Sequence, residues 1–206
     1  MVKDKDAEYL RLIAITDNLR GGVDGLRARA QAARRGGATM IQIRLPDESA
    51  RTLVSLTRAL VSTLDIPVVV HGRIDVALAA GARGVHLGVH DVPVQDARRI
   101  CAKGLIVGRS AATLDDLALA ATADYVTLGP VFASAARRPS SFLGITNFER
   151  LARAAAVPVV AIGGITEATV AEVMRAGATG VALISGILGA SDPEGAARAL
   201  RSAIGT

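Results

Sequence analysis

The stretch IPVVVHGRIDVALAAGARGVHLG, Ile66–Gly88, holds a complete structural unit. Its Pro67–His71 run is short and continuously apolar up to His71, which suits a strand buried on both faces. An Ala/Leu segment of helical spacing follows, Gly81 closes it, and a second strand starts at Gly84. Glycine suits the end of such a helix because it takes positive φ without strain. The first strand ends on His71 and Gly72. A doubly buried strand ends where the chain meets solvent or a site, so His71 is either at the lip of a site or a residue that closes a core.

The same unit recurs along the chain. Apolar or β-branched runs lie at Leu12–Thr16, Thr39–Arg44, Pro67–His71, Gly84–Leu87, Leu105–Ser110, Tyr125–Gly129, Pro158–Gly164 and Gly180–Ser185. Amphipathic segments such as SARTLVSLTRALVSTL and TEATVAEVMRAG separate them. Buried strands alternating with helices mean a parallel sheet. Eight units within 206 residues predict an α/β fold, a single-domain (β/α)8 TIM barrel over 1–206, with 1–10 as a flexible segment or N-terminal extension. A doubly wound open sheet is the alternative. Gly-Ala-Thr-Met-Ile at Gly37, Gly-Ala-Arg-Gly-Val at Gly81 and Gly-Ala-Thr-Gly-Val at Gly177 precede the second, fourth and eighth strands. Ala121 starts a looser copy before the sixth. A barrel of repeated quarters would show this echo, as would helix-to-strand junctions in any α/β protein.

Composition narrows the function. Half of the residues are hydrophobic but only 2% are aromatic, so aliphatic side chains fill the core. No apolar run is long enough for a membrane span. The charged start MVKDKDAEYL lacks a signal-like segment, and the single cysteine, Cys101, fits a reducing, cytoplasmic setting. The net charge of +5 is scattered and nearly all arginine. Without stacking aromatics this argues against a nucleic-acid partner and leaves phosphorylated small molecules as candidate ligands. Ala-rich helices are compatible with a homodimer.

In a barrel, the chemistry sits at the C-terminal ends of the strands. Those ends read Thr16-Asp17, Gln42-Ile43-Arg44, His71-Gly72-Arg73, His90-Asp91, Arg109-Ser110, Gly129–Phe132, Gly163-Gly164 and Ser185-Gly186. The last two pairs follow strands seven and eight, where barrels often hold a phosphate on backbone N–H groups.

Gln-x-Arg on strand two, Gly-Val-His-Leu-Gly-x-x-Asp-x-Pro after strand four, Gly-x-Ser on strand five, Gly-Pro-Val-Phe after strand six and Ala-Ile-Gly-Gly-Ile on strand seven occur in this order. Together they resemble the thiamine-phosphate synthase and thiazole tautomerase family over roughly Leu12 to Gly189. The resemblance implies a synthase that joins a pyrimidine, activated as its diphosphate, to a thiazole phosphate and releases pyrophosphate with the help of Mg2+. It implies Arg44 and Ser110 as catalytic residues and Asp91 as a metal ligand, and His71, at the end of the third strand where the family has another residue, joins the catalytic candidates by its position. It implies Gln42, Arg73, Ser134, Arg137, Gly163, Gly164 and Ser185 as substrate-binding residues.

The chain also departs from the synthase pattern. Pro46 replaces a lysine, His71-Gly72-Arg73 replaces Asn-Asp-Arg, and Ala136 replaces a threonine. Gly72 therefore removes one metal carboxylate, and neutral imidazole is a poor substitute for Mg2+. Arg44, Arg73, Arg109, Arg137 and Arg138 are the cations left near these ends. Tautomerases lack the metal corner and need a proton-transfer group, a role that suits histidine. Their Gly-His-Val-Phe is Gly129-Pro130-Val131-Phe132 here. Three functions stay open: synthase, tautomerase-like isomerase, and non-catalytic barrel that binds a phosphorylated thiazole. Plainer roles are also expected: His86 as a satisfied core residue, Asp91 as a helix cap, Asp17 as the cap of the first helix, and Cys101 as inert.

Overall fold

The computed structural model describes residues 8–101, 104–133 and 142–205. Eight parallel strands close into a barrel, each hydrogen-bonded to its neighbours in chain order. They are β1 (Leu12–Ile15), β2 (Met40–Ile43), β3 (Val68–His71), β4 (Gly84–Leu87), β5 (Ile106–Ala111), β6 (Tyr125–Leu128), β7 (Val159–Ile162) and β8 (Gly180–Leu183). Between and after them run α1 (Gly22–Arg35), α2 (Ala50–Val61), α3 (Ile74–Ala80), α4 (Val94–Ile100), α5 (Leu114–Leu119), α6 (Gly144–Ala154), α7 (Glu167–Arg175), α8 (Ser185–Leu188) and α9 (Pro193–Ile204). The pairing of β1 with β8, Leu12 opposite Val181, closes the sheet and excludes the open doubly wound alternative. No helix among the described residues is long and apolar enough to cross a membrane.

Strand side chains alternate in direction with a period of two. One parity points into the barrel: Ile13, Ile15, Met40, Val69, Ile106, Tyr125, Val160 and Ala182 form a closed apolar plug. The other parity, with Ile41, Ile43, Val68, Val70, Val126 and Leu128, packs outward against the helices. Both faces are buried, which is why the strands read as unbroken apolar runs. The helices answer with one apolar stripe each. In α2, Leu53, Leu56 and Leu60 recur at helical spacing and are buried, while the Ser49 hydroxyl accepts the Thr52 N–H at the N-terminus. Truncating Leu56, fully buried, would cost about 2–5 kcal/mol.

Two expectations are corrected. Glu8–Leu10, placed by the sequence in an N-terminal extension, forms a 3-10 turn, and Leu10 is 1% exposed. Leu10 belongs to the apolar plug, so burial fixes it. Asp17 does not cap α1; its carboxylate accepts from Asn18 Nδ2, and α1 starts after Gly21 with no side-chain cap.

Candidate active site

The inward parity carries the site. One step beyond the plug toward the C-terminal ends, the apolar series Met40, Val69, Tyr125 becomes Gln42, His71, Thr127. Gly84 leads in the same way to His86, and Ile106, through Gly108, to Ser110. Buried and half-buried polar groups therefore meet on a floor at the mouth.

His86 is the hub of the floor. Its Nδ1 lies 3.0 Å from the Tyr125 hydroxyl, and its Nε2 lies 3.0 Å from Ser110 Oγ and 3.2 Å from Thr127 Oγ1. Gly108 makes this packing feasible, because a Cβ there would sit 2.3 Å from the Tyr125 ring and 2.6 Å from His86 Nδ1. Burial, with smaller contributions from His71 and Arg109, lowers the His86 pKa to about 3. The imidazole is thus neutral at ordinary pH, with one nitrogen donating and the other accepting. Burial also raises the Tyr125 pKa, so its hydroxyl keeps its proton.

His71 stacks over His86 with ring centroids 5.5 Å apart. The Gln42 side-chain amide meets His71 Nδ1 at 3.1 Å, while its Oε1 is buried with no partner. Burial and then the Arg44 charge lower the His71 pKa, and Asp91 opposes them. Arg44 and Asp91 therefore act on the same imidazole from opposite signs. Thr16 fixes the Arg44 backbone: its hydroxyl oxygen accepts the Arg44 N–H at 2.8 Å, and the hydroxyl reaches the Arg44 carbonyl at 3.2 Å. The Arg44 side chain is exposed, with no ion pair among the described residues.

Asp91 is not a helix cap, since α4 starts at Val94 after Pro93. Its Oδ2 instead accepts the Gly88 N–H at 2.6 Å, which aims the carboxylate back toward β3. A Cβ on Gly72, where φ is +67°, would lie 3.2 Å from that Oδ2. Gly72 and Asp91 thus share one corner, and glycine leaves it with a single carboxylate.

The remaining candidates divide. Arg73 pairs through Nε and Nη2 with Asp75 at 2.8 and 2.6 Å, so its guanidinium is held at the start of α3. Arg109 is a correction: one residue off the inward parity, it is 4% exposed and donates to the Val89 and Val92 carbonyls behind the mouth. It holds the Asp91 loop and does not line the mouth. Gly163 and Gly164 lie against the segment after β6: Cβ atoms there would meet Pro130 at 2.5 Å and the Phe132 carbonyl at 2.6 Å. Ser185 opens α8 and is exposed. Ser134, Arg137 and Arg138 lie outside the described residues. Cys101 is half-buried and its thiol pKa is raised by burial, which disfavours thiolate chemistry.

Sequence reasoning missed Thr16 as the clamp on Arg44 and Tyr125 as the partner of His86. The parity of the inward series was the available signal for Tyr125. Thr16 was marked only as a strand end, and its hold on Arg44 depends on β1 pairing with β2.

Residues 12–187 match the family described as Thiamine monophosphate synthase. A thiamine-phosphate synthase of Anaeromyxobacter dehalogenans is 46% identical over 188 residues, which cover 89% of this chain and 84% of that protein. One from Roseiflexus castenholzii is 43% identical over 192 residues, covering 90% and 84%. Among solved structures, thiamine phosphate pyrophosphorylase from Pyrococcus furiosus superposes with a TM-score of 0.84 at 35% identity, covering 96% of each chain. A 3-hexulose-6-phosphate synthase, at 22% identity and a TM-score of 0.70, shares the fold.

Proposed function

Because the chain belongs to the thiamine monophosphate synthase family, we propose that it is itself a thiamine-phosphate synthase. It couples hydroxymethylpyrimidine diphosphate to thiazole phosphate. The thiazole nitrogen lone pair forms the new C–N bond, the C–O bond to the diphosphate breaks, and pyrophosphate leaves with the electron pair. The observation that carries this reading is the mouth itself, where Arg44 and Asp91 both act on His71 and Ser110 bonds the neighbouring His86, in a chain so similar to named synthases.

The reaction needs two things from the protein. Negative charge builds on the departing pyrophosphate, and fixed positive groups in a low-dielectric site stabilise it. Arg44 supplies that charge, on a backbone clamped by Thr16 and with a guanidinium free to grip phosphate oxygens bidentately. The reacting carbon must also be kept from water. The apolar plug and the hydrogen-bonded His86 network close the barrel beneath the mouth, and they hold Ser110 Oγ in place beside His86.

The donor set fits Mg2+ in a minimal way. Mg2+ takes one or two carboxylates and completes its shell with water and phosphate oxygens. Asp91 has one oxygen committed to the Gly88 N–H and the other without a partner among the described residues. Asp91 would hold the ion, which when bound would offset charge on the diphosphate. Gly163, Gly164 and Ser185 would take the thiazole phosphate on β7 and β8, opposite Asp91 around the ring. The isomerase alternative has no imidazole after β6, where Pro130 packs on Gly163.

The test is a product assay. Full-length protein with both substrates and Mg2+ should yield thiamine phosphate by chromatography, and EDTA should abolish it. No product under conditions where a competent synthase runs to completion refutes the reading.

A further inference from the structure

The corner between β3 and β4 offers two different donors to one place. A Cβ at Gly88 would lie 3.5 Å from His71 Nε2 and 3.3 Å from Asp91 Oδ2, so imidazole and carboxylate flank the same point beside the backbone. His71 is engaged only through Nδ1, and Asp91 only through Oδ2. His71 Nε2 and Asp91 Oδ1 are without partners among the described residues. No side chain from Gly72 stands between them and the mouth.

Gln42 supplies a second, independent observation. It is 2% exposed, and its Oε1 is buried without a partner while its Nε2 faces His71 Nδ1 at 3.1 Å. The two ends of an amide are interchangeable by a half-turn. After that turn, Oε1 accepts the hydrogen bond from His71 Nδ1–H, and the amide NH2 takes the buried position that Oε1 held. The neutral imidazole then carries its lone pair on Nε2, the atom that faces Asp91. A histidine that donates one N–H to a buried carbonyl and presents the other nitrogen is the arrangement that metal-bound histidines adopt.

We propose that His71 Nε2 and Asp91 are the two protein ligands of a divalent cation completed by pyrophosphate oxygens, and that the imidazole makes this corner favour Mn2+ or Co2+ over Mg2+. The proposal rests on the synthase reading for the source of the pyrophosphate. No group of three metal-binding side chains exists among the described residues, so the free protein holds the cation weakly and the substrate oxygens complete the shell. Mg2+ demands oxygen donors, whereas imidazole binds the later divalent ions progressively better. The change of Asp to Gly at position 72 therefore leaves a site of mixed nitrogen and oxygen donors.

The experiment uses the full chain, Mn2+ and inorganic pyrophosphate. Pulsed electron paramagnetic resonance should show histidine-type 14N modulation on the bound Mn2+. His71→Asn should remove it and weaken Mn2+ binding, measured by calorimetry with pyrophosphate present, by about tenfold or more. Mg2+ binding should change by less than about threefold, because its oxygen ligands remain. Circular dichroism checks that the variant folds, and His71→Gln serves as a second variant. Bound Mn2+ without nitrogen modulation, or modulation that survives both substitutions, overturns the proposal. Product formation in the same samples keeps the synthase reading separate. A wild-type protein that makes thiamine phosphate but shows no nitrogen on Mn2+ refutes only the ligation by His71. Nitrogen modulation without product refutes only the synthase reading.

Discussion

Gly72→Asp returns a carboxylate to the corner, and its effect can be worked out from the geometry. The backbone there has φ +67°, where a side chain costs about 1 kcal/mol, with Asp and Asn among the best tolerated. The new Cβ would stand 3.2 Å from Asp91 Oδ2, which puts the two carboxylates about 5 Å apart. At an effective dielectric constant of about 20 that repulsion is about 3 kcal/mol, and solvent at the half-exposed mouth reduces it to about 2. The sum is about 3 kcal/mol. In a chain of this size each kcal/mol moves the melting temperature by about 2–4 °C, so the metal-free variant should melt about 6–12 °C below wild type. Gly72→Asn carries the same backbone strain without the charge and should fall by only about 2–4 °C. Adding Mg2+ and pyrophosphate should restore the Asp variant far more than the Asn variant, because the cation turns repulsion into shared attraction. The Asp variant should also need about tenfold less Mg2+ for half-maximal turnover, one carboxylate ligand being worth at least about 1.4 kcal/mol. Thermal scans with and without Mg2+ and pyrophosphate provide the assay. Equal melting temperatures for Asp and Asn, with equal responses to Mg2+, would refute the placement of Gly72 beside Asp91.

Other expectations follow from neighbouring residues. His86 is neutral when folded, with its pKa lowered to about 3, whereas the unfolded chain takes up a proton near pH 6.5. Its contribution to stability is therefore complete above pH 6.5 and is lost as pH falls, by about 2 kcal/mol at pH 5. Denaturant titrations of wild type and His86→Gln should differ in pH slope by that amount, and equal slopes would contradict a buried neutral His86. Arg44→Ala should lower kcat/KM by about 100-fold or more, as expected for loss of a charge that stabilises the leaving group. Arg73→Ala, which removes only a guanidinium already paired with Asp75, should stay within about threefold in the same steady-state assay. Gly164→Ala would bring a Cβ to 2.6 Å from the Phe132 carbonyl and 2.7 Å from that of Ala133. It should raise the KM for thiazole phosphate by about tenfold and leave that for the pyrimidine diphosphate nearly unchanged.

The fold was legible because burial on both faces writes itself into the strands. Val68–His71 and Gly84–Leu87 match their apolar runs to within a residue, and Gly81 closes α3 in the left-handed region as its position suggested. The site was legible only in outline. Arg44, Asp91 and His71 could be placed at strand ends, yet their interactions depend on pairing across strands. His71 sits opposite His86, and Thr16 reaches Arg44 only because β1 pairs with β2. Glu8–Leu10 read as an extension because three residues carry too little periodicity to reveal that Leu10 plugs the barrel.

Arg109 and Ser110 show what separates a residue near the mouth from one in it. Both end the same strand, and charge alone makes arginine the more attractive phosphate ligand. Strand parity reverses that ranking. Ser110 shares the inward direction of Ile106 and Gly108 and meets His86, while Arg109 turns outward to the Val89 and Val92 carbonyls. Its part is still electrostatic in consequence, since those carbonyls flank His90 and Asp91 and fix the loop that aims the carboxylate. Strands of four residues, six in β5, leave room for only one or two inward positions above the plug. The chemistry of this chain is therefore set by few side chains, and His71 and Asp91 are the pair on which the proposed choice of cation turns.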